Sequence, residues 1–451
     1  MADKKIKSWA VFAFTIFYLL KVFLHWNILN ILLTILIAGL LIINLPLLKG
    51  PSKIISIVLF TLGMILMFTS KATINDWQTG LINNAGIITL LITVPMLGFP
   101  LLFENFQQAI TEISHKHLDT PVNFYSISNF LCFCLATILN IASVSIVNHL
   151  LNEAKKQYPI ELFSRALTRA IMSCSIWSPS FVGVAVVLHY TGFPWIKIAP
   201  WGLLFALIAL FLGISLEKFH NRSFPKNITL SPKKNVSQQN KRLLKILVIL
   251  GTFMISAIIF LEVLTGLSVL VVVPLVALLG PLFIGIVWGK MPIFLSCFRN
   301  FFNEKLPNMK NEIVLFTAAG FFGHSLNVAH IGEYASKIIV YLDIQEPFFL
   351  IMILMGIIIS MALIGVHPVV TSSTILITLP VSQIPLMPIQ FALTVIMGYS
   401  IAALLSPISG TVLVTSGVLG ENPLNVGIKW NWQYALILIF ICIFVLALIH
   451  F

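Results

Sequence analysis

Four short stretches set polar, helix-disturbing residues among almost entirely apolar neighbours: Leu139-Asn140-Ile141-Ala142-Ser143-Val144-Ser145, Trp177-Ser178-Pro179-Ser180, Gly365-Val366-His367-Pro368-Val369-Val370-Thr371 and Ser406-Pro407-Ile408-Ser409-Gly410-Thr411. Proline lacks a backbone donor and clashes with the carbonyl four residues earlier, so Pro179 and Pro407 each interrupt a helix that runs through them. The freed carbonyls, with the hydroxyls of Ser178, Ser180, Ser406, Ser409 and Thr411, are oxygen ligands suited to a hard cation. Sodium at Asn140, Ser178 and Ser406 is the metal these positions suggest. Helix restarting beyond each break, at Gly410 in the second, points backbone N–H groups and a positive dipole end inward, which favours an anion beside the cation. A kink patched by a neighbouring hydroxyl is the plainer account of a single Ser-Pro. Two breaks at corresponding places speak for a site.

Asn140, Ser143 and Ser145 fall at the tip of one bent apolar stretch, and His367, Thr371, Ser372 and Ser373 occupy the same zone of another. A polar side chain at membrane depth is costly without a purpose, which singles out Asn140 and His367. Because an unperturbed imidazole titrates near neutrality, His367 could also carry a proton. Ser372 and Ser373 read as hydroxyls that satisfy loop backbone. Glu262 lies beside the Thr265-Gly266 turn, where it is expected to reach water, and Glu104 sits at a helix end. His149, His189 and His324 read as structural. No aspartate lies within an apolar span, which tilts the solute toward an anionic or neutral one. The spans hold no His-Glu-x-x-His, paired aspartates or Gly-x-Ser-x-Gly, and no nucleotide-binding loop, so neither an enzyme nor a primary pump is expected. No cofactor is expected either, apart from a coupling sodium ion or proton.

The elements that position these residues must be membrane helices. Of 451 residues, 59% are hydrophobic and 9% charged, and the mean hydropathy is +1.01; soluble domains carry roughly a quarter charged residues. Apolar stretches of about 18 or more residues, enough to cross a hydrocarbon core, recur from Trp9 to Ile449. The net charge of +12 resides in short loops, not on a basic face, so nucleic acid is not a partner. The five cysteines, including Cys132 and Cys134, read as small apolar residues. Lys4, Lys5 and Lys7 place the N-terminus in the cytoplasm by the positive-inside rule, with Trp9–Phe23 an uncleaved first span. Spans follow near 28–48, 54–68 and 85–103, then a hairpin at 124–151 with basic residues on both flanks (Ser114–Leu118; Lys155, Lys156, Arg165, Arg169). Spans near 170–188 and 200–216 lead to a basic loop from Lys218 to Lys245 that includes Arg222, Lys226, Lys233 and Lys234. Beyond it lie spans at 246–264, 267–288 and 313–329, a hairpin near Pro347–Pro380, a broken span at 388–418 and a last span ending at Ile449. The fold class is therefore an all-α polytopic membrane protein with about 11 transmembrane helices plus two re-entrant hairpins.

The hairpin and the break recur. Leu139–Val147 lies over Leu363–Thr371 at an offset of 224, and Trp177–Gly183 over Leu405–Thr411 at 228, as does Gly192 over Gly420. Loop charge gives the copies opposite orientations, so the chain divides into scaffold spans (1–84), a first repeat (85–216), a basic loop (217–245), a connecting pair (246–310) and an inverted second repeat (311–451). The ordered set resembles the ion transporter superfamily, which includes divalent anion/sodium symporters, citrate carriers and arsenite pumps. Ser406–Gly417 is similar to the Thr-Pro-Pro-Asn-rich break of the dicarboxylate symporters, Ser178-Pro179-Ser180 to its partner, and Leu139–Ser143 to their Ser-Asn-Thr-Ala-Thr hairpin tip, with Leu139 and Ile141 in place of Ser and Thr. The resemblance implies a homodimeric, elevator-type secondary transporter in the cytoplasmic membrane of a prokaryote, moving a small di- or tricarboxylate-like anion on a sodium or proton gradient. The alternative on the same fold is a cation/proton antiporter or an inorganic oxyanion efflux permease. A permease subunit working with a partner protein is a further reading.

Overall fold

The computed structural model describes residues 2–104, 106, 109, 118–220, 237–332, 334, 337, 341, 346–379 and 384–448. Among these every regular element is helical, and ten segments are long and apolar enough to cross a membrane. The protein is an all-α polytopic membrane protein. Ile31, Ile35 and Ile42 stand 50%, 62% and 75% exposed on one helix, an arrangement suited to lipid.

Helix α1 (Ala2–Leu24) turns at His25 into α2 (Asn27–Asn44), followed by α3 (Pro51–Thr69). Helix α4 (Ile74–Ile82) opens on a capping box between Thr73 and Asp76. It leads to α5 (Ala85–Thr93), which continues as 3-10 helix over Val94–Leu102, where Pro95 and Pro100 remove donors. Helix α6 (Pro121–Leu139) bends at Asn140–Ala142 into α7 (Ser143–Leu150). Helices α8 (Ile160–Ser175) and α9 (Val182–Thr191) lie either side of the Pro179 break, and α10 (Trp195–His220) follows. Helices α11 (Gln238–Thr265), α12 (Val269–Val287), α13 (Met291–Asn300) and α14 (Lys310–Val328) lead to a second bent pair, α15 (Pro347–Leu363) and α16 (Pro368–Thr378). Helices α17 (Pro388–Leu405) and α18 (Gly410–Leu419) flank the Pro407 break, and α19 (Trp430–Leu448) closes the described chain.

Equal spacings recur among the elements. Helices α8 and α17 start 228 residues apart, as do α9 and α18. Both short helices are ten residues long and end on left-handed glycines, Gly192 (φ +68) and Gly420 (φ +73). Helices α6 and α15 end 224 residues apart. Each bend carries a positive φ, Asn140 in one and Gly365 in the other. Packing follows the same exchange: α6 lies on α8 and α10 as α15 lies on α17 and α19, while α7 meets α18 as α16 meets α9. Helix α7 is about 12 Å long and α16 about 16 Å, too short to cross a core of about 30 Å.

Three places differ from the sequence-based expectation. Helix α8 begins at Ile160, ten residues before the span expected at Ala170, so Arg165 and Arg169 are helical and not loop residues. Arg169 is buried because its charge is matched: Nη1 lies 3.0 Å from Glu217 Oε1, and Nε donates to Asn431 Oδ1 at 2.9 Å. Arg165 Nη2 donates to the other Glu217 oxygen at 2.8 Å. Glu262 is also buried, and its carboxylate accepts the Trp195 N–H at 2.6 Å, closing the donor-rich start of α10. The ten candidate spans count the bent α6–α7 as one and omit α8–α9, which the break divides into pieces of 16 and ten residues. Ser114 to His117, Arg222, Lys226, Lys233, Lys234, Pro380 and Ile449 lie outside the described residues.

Candidate solute site between two broken helices

Each break is shaped by the residue before its proline. Steric pressure from the proline ring holds that residue extended, and Ser406 accordingly takes φ −68, ψ 121 at the end of α17. Ser406 Oγ then donates to the Ala362 carbonyl on α15 at 3.0 Å. Ser409 caps α18, accepting the Val412 N–H at 3.2 Å and donating to the Ala403 carbonyl at 2.6 Å. At the first break, Ser178 and Ser180 hydroxyls lie 2.9 Å apart, and Ser180 Oγ donates to the Thr137 carbonyl on α6 at 3.3 Å. Each break is thus tied to the hairpin that precedes it by a serine that donates to a carbonyl near the bend.

Asn140 is the keystone of the first tip. Its φ of +54 with ψ −138 is a conformation glycine takes easily and most side chains avoid. The amide holds it there: Nδ2 donates to the Ser180 carbonyl at 3.0 Å, and Oδ1 accepts the Ile141 N–H at 2.8 Å. Ser143 is fully buried, and its hydroxyl donates to the Asn140 carbonyl at 2.8 Å. At the second tip His367 precedes Pro368 and caps α16, its Nδ1 accepting the Val369 N–H at 3.3 Å. Its ring meets Phe316 edge to face, with centroids 6.1 Å apart.

The two tips and the two breaks surround one cavity of ≈ 180 Å³, lined by Asn140, His367, Ser409, Gly410 and Thr411 among others. Ile141 brings the first tip against the second break: a Cβ on Gly410 would stand 3.1 Å from its side chain. The two broken helices touch where Tyr399 of α17 lies flat against Gly183 of α9, a contact that leaves no room for a Cβ. Other expected site residues fall outside the lining. Ser178, Pro179 and Ser180 are buried behind the first break, Ser406 is buried against α15, and Pro407 is half-buried. Thr371 is buried within α16, with no partner for its hydroxyl among the described residues. Ser145 is exposed on α7 and stands apart from the site.

The oxygens around the expected sodium positions each take part in a hydrogen bond within the protein. Around the first break stand the Thr137 and Ser180 carbonyls with the Ser178 and Ser180 hydroxyls, and around the second the Ala362 and Ala403 carbonyls with the Ser406 and Ser409 hydroxyls. Sequence reasoning missed four polar lining residues: Ser175, Glu312, Tyr399 and Ser400. Glu312 was masked by its neighbour Lys310, which made the start of α14 read as a charged loop. Tyr399 and Ser400 carried a usable signal, a polar pair inside an apolar helix about two turns before the break. No lysine or arginine appears among the lining residues.

No protein-family model and no curated protein sequence matches the chain. Among solved structures, the crystal structure of the Alcanivorax borkumensis YdaH transporter, described as having an unusual topology, is similar over 92% of this chain and 97% of that one, at 14% identity and a TM-score of 0.49.

Proposed function

We propose that the protein is a secondary active transporter that carries a small organic anion of the di- or tricarboxylate type, coupled to a sodium or proton gradient. The observation that carries this reading is the convergence of two bent hairpins and two broken helices on one cavity that several polar side chains line. Opposite orientation of the halves is supported by side-chain pairs. Arg169 of α8 bonds both Glu217 near the end of α10 and Asn431 at the start of α19, whereas Gln390 at the start of α17 donates to the Leu446 carbonyl near the end of α19. On that reading the breaks meet head to head, and their exposed main chain forms the solute pocket. An elevator movement, a homodimer and a cytoplasmic N-terminus complete the proposal.

Glu312 favours a second reading. A carboxylate and an imidazole in a cavity without lysine or arginine is also a site for a cation exchanged against protons. Uptake into proteoliposomes of labelled succinate, citrate, arsenite and sodium, with sodium and pH gradients imposed separately, separates the two. Carboxylate uptake driven by an inward cation or proton gradient supports the first. Sodium moving against protons, with no carboxylate uptake, supports the second, and no flux of any kind contradicts both.

A further inference from the structure

A second and larger cavity, ≈ 460 Å³, opens between the α1–α2 turn, α4 and the end of α9. Lys21, His25 and His189 line it together with the amides of Asn30, Gln78 and Asn83, and its lining holds no carboxylate. The nearby carboxylate of Asp76 is engaged in its own helix cap, accepting the Thr73 N–H at 2.8 Å and the Thr73 hydroxyl at 2.7 Å. Asn30 Oδ1 is buried without a partner among the described residues. Gly86 lets the Tyr18 hydroxyl lie directly on α5, so the cavity wall is closed there.

This cavity is stacked on the solute site. Helix α9 lines the central cavity with Val182 and this one with His189, seven residues and about 10 Å further on. Helix α5 does the same with Leu91 and Gly86. A seam of hydrogen bonds joins the two. Asn83 Nδ2 donates to Tyr190 Oη at 3.2 Å, Tyr190 Oη donates to Asn84 Oδ1 at 2.9 Å, and Asn84 Nδ2 donates to the Phe316 carbonyl at 3.0 Å. Phe316 is itself a wall of the central cavity.

We infer that the larger cavity is a binding vestibule for a small carboxylate-bearing anion, held by the Lys21 ammonium and the surrounding amides, from which the anion passes along the Asn83–Tyr190–Asn84 seam. A cation among several amides with no carboxylate in the lining attracts an anion, and a concave wall concentrates its field. The binding step stands by itself; the passage rests on the carrier reading. Helix α10, about 39 Å long, starts beside the end of α9, so the vestibule lies toward the opposite end of α10 from His220.

The test needs no transport. In a cysteine-free background, Gln78→Cys is reacted in detergent with an anionic sulfonate methanethiosulfonate and with its cationic trimethylammonium counterpart. Thr265→Cys, on an exposed turn, serves as reference. The expected result is a preference for the anionic reagent of about tenfold over the reference, lost when Lys21→Gln is added. Succinate at constant ionic strength should slow the reaction at Gln78→Cys several-fold and leave Thr265→Cys unchanged. If Lys21→Gln does not fold, protection by succinate alone decides. Equal rates for both reagents, a preference that survives Lys21→Gln, or no protection would overturn the vestibule. A protected vestibule in a protein that transports nothing would instead overturn the carrier reading.

Discussion

Asn140 pays for a strained backbone with an amide that bonds on both sides, so replacing it can be made to report the side chain alone. Asn140→Gly keeps the φ of +54 accessible and removes both amide bonds. The expected outcome is a protein that folds and elutes as the parent but transports about tenfold more slowly, a change of about 1.4 kcal/mol that lies within what two hydrogen bonds contribute. Glu312 makes a different prediction. If it carries the coupling proton, Glu312→Gln abolishes uptake driven by a pH gradient while solute exchange at equal pH persists; loss of both would place it in solute binding instead. The contrast between these residues also explains what could be read from the sequence. Asn140 and His367 stood out because no apolar helix has a use for them. Glu312 was hidden because a charge next to Lys310 reads as a helix end. Ser145 shares its stretch with Ser143, but α7 turns one hydroxyl inward and the other to the surface, a difference that depends on which neighbours pack against the helix.

Among the elements, the breaks and bends follow from local chemistry, and the equal spacing of α8–α9 and α17–α18 was visible as a shared offset. The start of α8 was not. Positive residues before an apolar run read as a loop, whereas in the structure Glu161 and the distant Glu217, Asn431 and Tyr434 make Arg165 and Arg169 tolerable inside a packed helix. Arg169→Ala leaves Glu217 to Arg165 alone and Asn431 Oδ1 without its donor, and is expected to cost about 1–3 kcal/mol, read as a lowered thermal midpoint in detergent. Lys156→Ala, which breaks the solvent-exposed pair with Glu153, should leave the midpoint unchanged. The contact between the broken helices is equally specific. Gly183→Ala drives a methyl into the Tyr399 ring and is expected to destabilise by about 1–3 kcal/mol. Adding Tyr399→Leu should recover part of that loss, since the three atoms nearest the added methyl all belong to that ring.

For the molecule as a whole, the carrier account requires one cavity that faces the two sides of the membrane in turn. Thr411 lies on the cavity wall at the start of α18, where a thiol would sense both faces. The decisive measurement is labelling of Thr411→Cys, in a cysteine-free background, by a membrane-impermeant reagent applied separately to right-side-out and inside-out vesicles. The account predicts reaction from both sides, slowed on each by the transported solute. Reaction from one side only, or labelling that the solute leaves untouched, would contradict it.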